Sequence, residues 1–111
     1  MKKINEKELK KILQENPNVK LLNVLPEDEF EKEHIPNSIN IPVENENFLD
    51  EVKQQINNKN DLVIVYCASN ECPASTEAAK KLEENGYKNV YDFKGGLQEW
   101  QETGNKVIAG V

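Results

Sequence analysis

The chain has 111 residues, 37% hydrophobic and 31% charged, which suits one domain with one core over residues 1–111 and is too short for two. A formal net charge of −6 argues against nucleic acid as a partner, because phosphate neutralisation needs a basic face. No segment approaches the roughly 18 consecutive apolar residues of a membrane span, and "MKKINEKELKKILQ" lacks the apolar stretch and cleavage site of an export signal. The two cysteines are therefore expected in a reducing, cytoplasmic setting, as reactive thiols or buried fillers rather than a disulfide framework. All 14 cationic side chains are lysines, and arginine is absent.

In chain order, Asn5 and Glu8 form a capping-box pattern, and Leu9, Ile12 and Leu13 share one face of the helix it opens, which stops at Pro17. "KLLNV" (20–24) reads as a short strand. Pro26 then opens the acidic "PEDEFEKEH", suited to a helix N-terminus because carboxylates meet the positive end of the dipole. "SINIP" (38–42) is a short strand closed by Pro42, and Phe48, Leu49, Val52 and Ile56 line one side of the next helix. The continuous apolar run "DLVIVY" (61–66) has the signature of a strand covered on both faces, hence central in a parallel sheet. Ala74, Ala78 and Leu82, with Ala79 alongside, give a helix a small-residue face for close packing, and Gly86 suits its C-terminal cap. "NVYDF" (89–93) is another strand, and "GGLQEWQETG" turns into a short helix with Leu97 and Trp100 inward. The alternation predicts an α/β fold, an about five-stranded, mainly parallel sheet flanked by helices on both faces.

In such sheets ligands bind beyond the carboxyl ends of the strands. Cys67 is the first residue after the most central strand, and Ala68, Ser69, Asn70, Glu71 and Cys72 lead from it into a helix N-terminus, with Pro73 suited to the first turn. Free amide groups and the helix dipole there favour negative charge, so the Cys67 thiol is expected to be more acidic than the ordinary value of about 8.5 and the more reactive of the two thiols. A small buried core residue is the other reading of a cysteine at a strand end.

Two long stretches carry a family resemblance. "LLNVLPEDEFEKEHIPNSINIPV" resembles the "LLDVR…E(F/Y)…GHIPGAINIP" segment of rhodanese-like domains, and "VIVYCASNECPASTEAAKKLEENGYKNVYDFKGGLQEW" resembles their strand, active-site loop, helix and "GY.NV..L.GG...W" ending. The resemblance implies a rhodanese-like fold with Cys67 as the persulfide-forming nucleophile. It makes Ala68, Ser69, Asn70, Glu71 and Cys72 the substrate-binding loop, whose backbone amides cradle the thiolate and the transferred sulfur. Gly95, Gly96 and Trp100 are then structural.

The departures bear on substrate. Relatives that use thiosulfate commonly carry C-x-x-x-x-R, whereas the fifth position after Cys67 is Cys72 and the loop holds Glu71. The family's "DVR" is "NVL", with Asn23 for the aspartate and Leu25 for the arginine, and the glycines of "GHIPGA" are Glu33 and Asn37. His34, the one histidine, reads as part of the turn before a strand rather than as a base for Cys67. Lys94, beside Gly95 and Gly96, reads as solvated surface rather than as a charge for the crevice. Two cysteines and one histidine fall short of a four-ligand zinc site, so no metal and no cofactor is expected.

The expected activity is that of a sulfurtransferase carrying sulfane sulfur on Cys67. Its partners would be small sulfur donors, polysulfide or persulfide ahead of thiosulfate, and thiol acceptors that include a partner protein's thiol. Thiosulfate activity is expected to be weak. A non-catalytic or redox-sensing module using a Cys67/Cys72 dithiol is the alternative. The related Cys-based phosphatases need an arginine in C-x5-R, which this chain cannot supply. Cys72 is open to two roles: a thiol that resolves the persulfide, or a small apolar residue at the helix start.

Overall fold

A computed structural model describes residues 1–110. Strands and helices alternate along them: β1 (Lys2–Ile4), α1 (Glu6–Glu15), β2 (Lys20–Asn23), α2 (Glu27–Lys32), β3 (Ile39–Asn40), α3 (Phe48–Gln55), β4 (Leu62–Tyr66), α4 (Ala74–Glu84), β5 (Asn89–Phe93) and α5 (Gly96–Glu102). The strands form one sheet in the order β1-β5-β4-β2-β3, and every neighbouring pair is parallel. This is the α/β architecture that the sequence predicts.

β4 lies in the middle of the sheet. Val63, Ile64, Val65 and Tyr66 are all fully buried. Successive side chains of a strand point to opposite faces, so burial of all four requires cover on both sides of the sheet. The same core takes in Leu9 of α1, Phe48 and Val52 of α3, and Ala78, Ala79 and Leu82 of α4. The alanines bring α4 close to the sheet.

Local chemistry sets the element ends. Asn5 accepts from the Glu8 amide while Glu8 reaches back to the Asn5 amide, satisfying two otherwise free donors of α1. Gly86 (φ +92) ends α4 in a left-handed conformation. Asn37 adopts φ +68, a region that asparagine tolerates better than other side chains and that suits a glycine position. Glu33, at the other replaced glycine, is extended at φ −166, where any residue fits.

The fifth strand is one that the sequence left unassigned. β1 runs alongside β5 with Lys2 opposite Tyr91 and Ile4 opposite Phe93. Only Ile4 of its three residues is buried, so the segment carries too little pattern to read as a strand. Among the described residues no helix is long and apolar enough to cross a membrane.

Candidate active site

The carboxyl end of β4 is fixed by a buried polar network. The Tyr66 hydroxyl accepts from Asn23 Nδ2 (3.0 Å) and from the Ile35 amide (3.0 Å), and it shares a proton with Ser38 Oγ (2.8 Å). Asn23 Oδ1 accepts from the Leu25 amide at 3.0 Å. The asparagine that replaces the family's aspartate is thus a donor to Tyr66 and an acceptor at the turn after β2. Burial pushes the Tyr66 hydroxyl pKa up, which keeps it neutral.

Cys67 follows directly. The Leu97 amide donates to its carbonyl (3.0 Å) and the Gln98 amide to that of Ala68 (2.9 Å), so the first turn of α5 holds the start of the loop. Gly96 makes this approach feasible. It sits at φ +58, and a β-carbon there would lie 2.2 Å from the Cys67 carbonyl oxygen. Gly95 has an ordinary φ of −68.

The loop then turns back on itself, with the Cys72 amide donating to the Ser69 carbonyl (3.0 Å). Ala68, Asn70 and Glu71 are exposed, and Ser69 and Cys72 are half-buried. Cys67 itself is fully buried. Its thiol donates to the Cys72 carbonyl oxygen at 3.5 Å. Lys94 Nζ donates to that same oxygen at 2.7 Å. Lys94 is therefore half-buried against the loop, not the solvated surface residue expected from the sequence.

The expected acidity of Cys67 is not what the structure has. Burial, then the Cys72 thiol, pushes the Cys67 thiol up from its ordinary value to about 11, while the Ser75 hydroxyl and amide pull it down. Loss of water outweighs the donors, and a carbonyl oxygen aimed at the sulfur favours the protonated form. Both cysteines are free thiols.

Sequence reasoning missed Ser75. It is fully buried, and its Oγ has no hydrogen-bond partner. Its hydroxyl and its amide both pull the Cys67 thiol down, which puts the first turn of α4, and not the loop alone, beside the sulfur. A signal existed: Ser75, Ala79 and Leu82 fall at i, i+4 and i+7, which places a polar residue on the inward face. A buried hydroxyl without a partner is costly, so this point of the site favours an acceptor placed beside it.

His34 is engaged elsewhere. Its Nδ1 donates to the Phe30 carbonyl (2.8 Å), its ring stacks on Phe30 with centroids 3.8 Å apart, and its backbone pairs with Ile108. Among the described residues no group of three or more His, Cys, Asp or Glu side chains is placed to hold a metal ion.

A groove of about 280 Å³ borders the loop at Ala68, with Leu25 and Leu97 in its lining and Glu29, Lys32, Glu33 and Glu102 around it. Larger concavities of about 450 and 490 Å³ share Pro17–Lys20 at the amino ends of the strands. They lie at the wrong edge of a parallel sheet for ligand chemistry and have no thiol in their lining.

Comparison with known proteins agrees with this fold. A sequence profile of the rhodanese-like domain matches residues 5–103. The adenylyltransferase and sulfurtransferase UBA4 of Candida albicans is 31% identical over 104 residues, which is 90% of this chain and 23% of that protein. The thiosulfate sulfurtransferase GlpE of Coxiella burnetii is 31% identical over 81 residues, 73% of this chain and 70% of that protein. This chain thus spans about a quarter of the first relative and most of the second. Among solved structures, the BH2092 protein of Bacillus halodurans superposes with a TM-score of 0.84 at 22% identity, covering 97% of this chain and 77% of that one. On the profile match over nearly its whole length, this chain belongs to the rhodanese-like domain family.

Proposed function

We propose that the protein is a sulfurtransferase that carries sulfane sulfur as a persulfide on Cys67. The observation that carries this reading is the buried Cys67 thiol at the carboxyl end of the central strand, faced by a Ser75 hydroxyl that has no other partner. The resting thiol is neutral. A persulfide is intrinsically more acidic than a thiol, so loading converts a protonated sulfur into an anionic one. That anion supplies the acceptor that Ser75 Oγ lacks and lies beside the Ser75 amide at the start of α4, a preorganised electrostatic site. The loop Ala68–Cys72 contributes backbone rather than positive charge, since its one charged side chain is the Glu71 carboxylate.

Donors in this reading are polysulfide or a persulfide, and acceptors are small thiols or a partner protein's thiol in a cytoplasmic setting. Thiosulfate, a dianion, finds no guanidinium to grip it bidentately and is a weak substrate. Mass spectrometry after incubation with polysulfide, persulfide or thiosulfate tests the proposal. It expects added sulfur mapped to Cys67, more of it from polysulfide or persulfide, and its discharge onto an added thiol. Sulfur found on Cys72 alone, or on neither cysteine, overturns it.

The second reading, a Cys67/Cys72 dithiol, is favoured by the closeness of the two thiols, since the Cys72 side chain acts directly on Cys67. In it, the Cys72 sulfur attacks the inner sulfur of the persulfide, a Cys67–Cys72 disulfide forms, and hydrosulfide leaves with the electron pair of the broken S–S bond and the Cys72 proton. Peroxide alone would then yield the same bridge, seen as a loss of two hydrogens. Peptide mapping that never finds the bridge under full loading leaves Cys72 as a packing residue.

A further inference from the structure

We infer that Lys94 recognises the anionic end of the sulfur donor, supplying from the β5–α5 turn the positive charge that the loop lacks; this rests on the sulfurtransferase reading for the identity of the donor. Two observations place Lys94 at the sulfur independently. The β4–β5 register pairs Tyr66 with Phe93, so the next residues, Cys67 and Lys94, leave the sheet side by side. The Lys94 ammonium and the Cys67 thiol also converge on one acceptor, the Cys72 carbonyl oxygen. Because those bonds of 2.7 and 3.5 Å share an oxygen, nitrogen and sulfur lie within about 6 Å of each other.

The charge on Lys94 is not neutralised where it rests. Its partner is a carbonyl, and among the described residues it makes no salt bridge. Asp92, two residues earlier near the end of β5, accepts from Thr76 Oγ1 at 2.9 Å and not from Lys94. No other lysine among the described residues hydrogen-bonds to the segment from Cys67 to Ser75.

The chemistry calls for a cation at this point. A nucleophilic sulfur approaching an anionic donor meets like-charge repulsion, and an ammonium beside both offsets it. With a persulfide donor, Cys67 sulfur bonds to the sulfane sulfur, the donor's S–S bond breaks, and the pair leaves on the donor's remaining thiolate, which takes up the Cys67 proton. With thiosulfate the leaving group is sulfite, protonated in the same way. A lysine offers one point charge rather than a planar fork. That suits a singly charged sulfur terminus better than a tetrahedral dianion.

The test uses two reagents of the same leaving group and different charge, iodoacetate and iodoacetamide, on the full chain, with modification mapped to Cys67. Lys94→Gln is expected to lower the iodoacetate-to-iodoacetamide rate ratio by about tenfold, the effect of one unit charge at this range in a partly screened site. Lys94→Arg keeps the ratio near the wild-type value. Loss of a purely structural clamp on Cys72 would change both rates together and leave the ratio unmoved, which overturns the inference. In the same variants, Lys94→Gln should raise KM for polysulfide more than it lowers kcat. An unchanged ratio in a protein that loads sulfur normally removes only the role of Lys94. A lowered ratio in a protein that no donor loads removes the sulfurtransferase reading, and the donor assignment with it.

Discussion

Gly96 packs its α-carbon against the backbone of Cys67, so closely that a β-carbon would stand 2.2 Å from the Cys67 carbonyl oxygen and 3.0 Å from the Ala68 carbonyl carbon. The contact joins the last strand-to-helix turn to the start of the active-site loop, and the Leu97 amide bond to Cys67 depends on it. The obstructing atoms are backbone and cannot rotate away. Gly96→Ala is therefore expected to destabilise the fold by roughly 2–4 kcal/mol, from overpacking added to strain at positive φ. Gly95→Ala, at an ordinary φ of −68, is expected to cost less because strain at positive φ is absent, although its β-carbon would crowd the Glu99 β-carbon at 2.6 Å. Urea denaturation of the two variants checks the order, and equal losses would contradict it.

The Cys67 thiol sets a second expectation, in alkaline solution. Below about pH 7.5 the thiol is protonated in folded and unfolded chains alike and contributes no pH dependence. From the ordinary thiol value of about 8.5 up to about 11 the unfolded chain releases its proton while the folded one keeps it, so stability falls as pH rises through this window. Cys67→Ser should remove this part of the alkaline loss. Tyr66 and Tyr87 are shifted upward by burial as well, so the difference between wild type and variant is the quantity to measure. The alkylation rate of Cys67 without a donor should still be climbing at pH 9, and a plateau near pH 7 would contradict the buried neutral thiol.

Removing the Cys72 thiol removes a group that raises the Cys67 pKa. Cys72→Ala keeps the carbonyl that accepts from Cys67 and Lys94, since that group is backbone. Alkylation of Cys67 near pH 8 should accelerate by a few-fold, and persulfide should persist longer where Cys72 serves as a resolving thiol. Stopped alkylation with peptide mapping reads both quantities. A slower Cys67 in this variant would mean that the Cys72 thiol assists rather than opposes ionisation.

Tyr66→Phe probes the anchor of the central strand. It leaves Asn23 Nδ2 and the Ile35 amide without their acceptor in a buried setting. The expected cost is roughly 2–4 kcal/mol, since each stranded group loses about 1–3 kcal/mol. Thermal unfolding measures the loss. A variant as stable as wild type would mean that water reaches this network.

The sequence by itself determined the layer order of this protein. Continuous apolarity in "LVIVY", alternating strand and helix patterns, the Asn5–Glu8 capping box and the helix stop at Gly86 are local signals, each written within a few neighbouring residues. Placing Cys67 at the end of the central strand needed only those signals and the rule for parallel sheets. The tertiary structure decided what surrounds the sulfur. β1 became a strand because β5 offered an edge, not because "KKI" favours one. Ser75 and Lys94 reach the site from α4 and from the β5–α5 turn, 8 and 27 positions beyond Cys67, and no spacing within the loop announces them. The acidity of Cys67 was misjudged for the same reason: helix dipole and amides are legible near a cysteine in sequence, but desolvation depends on everything packed around it.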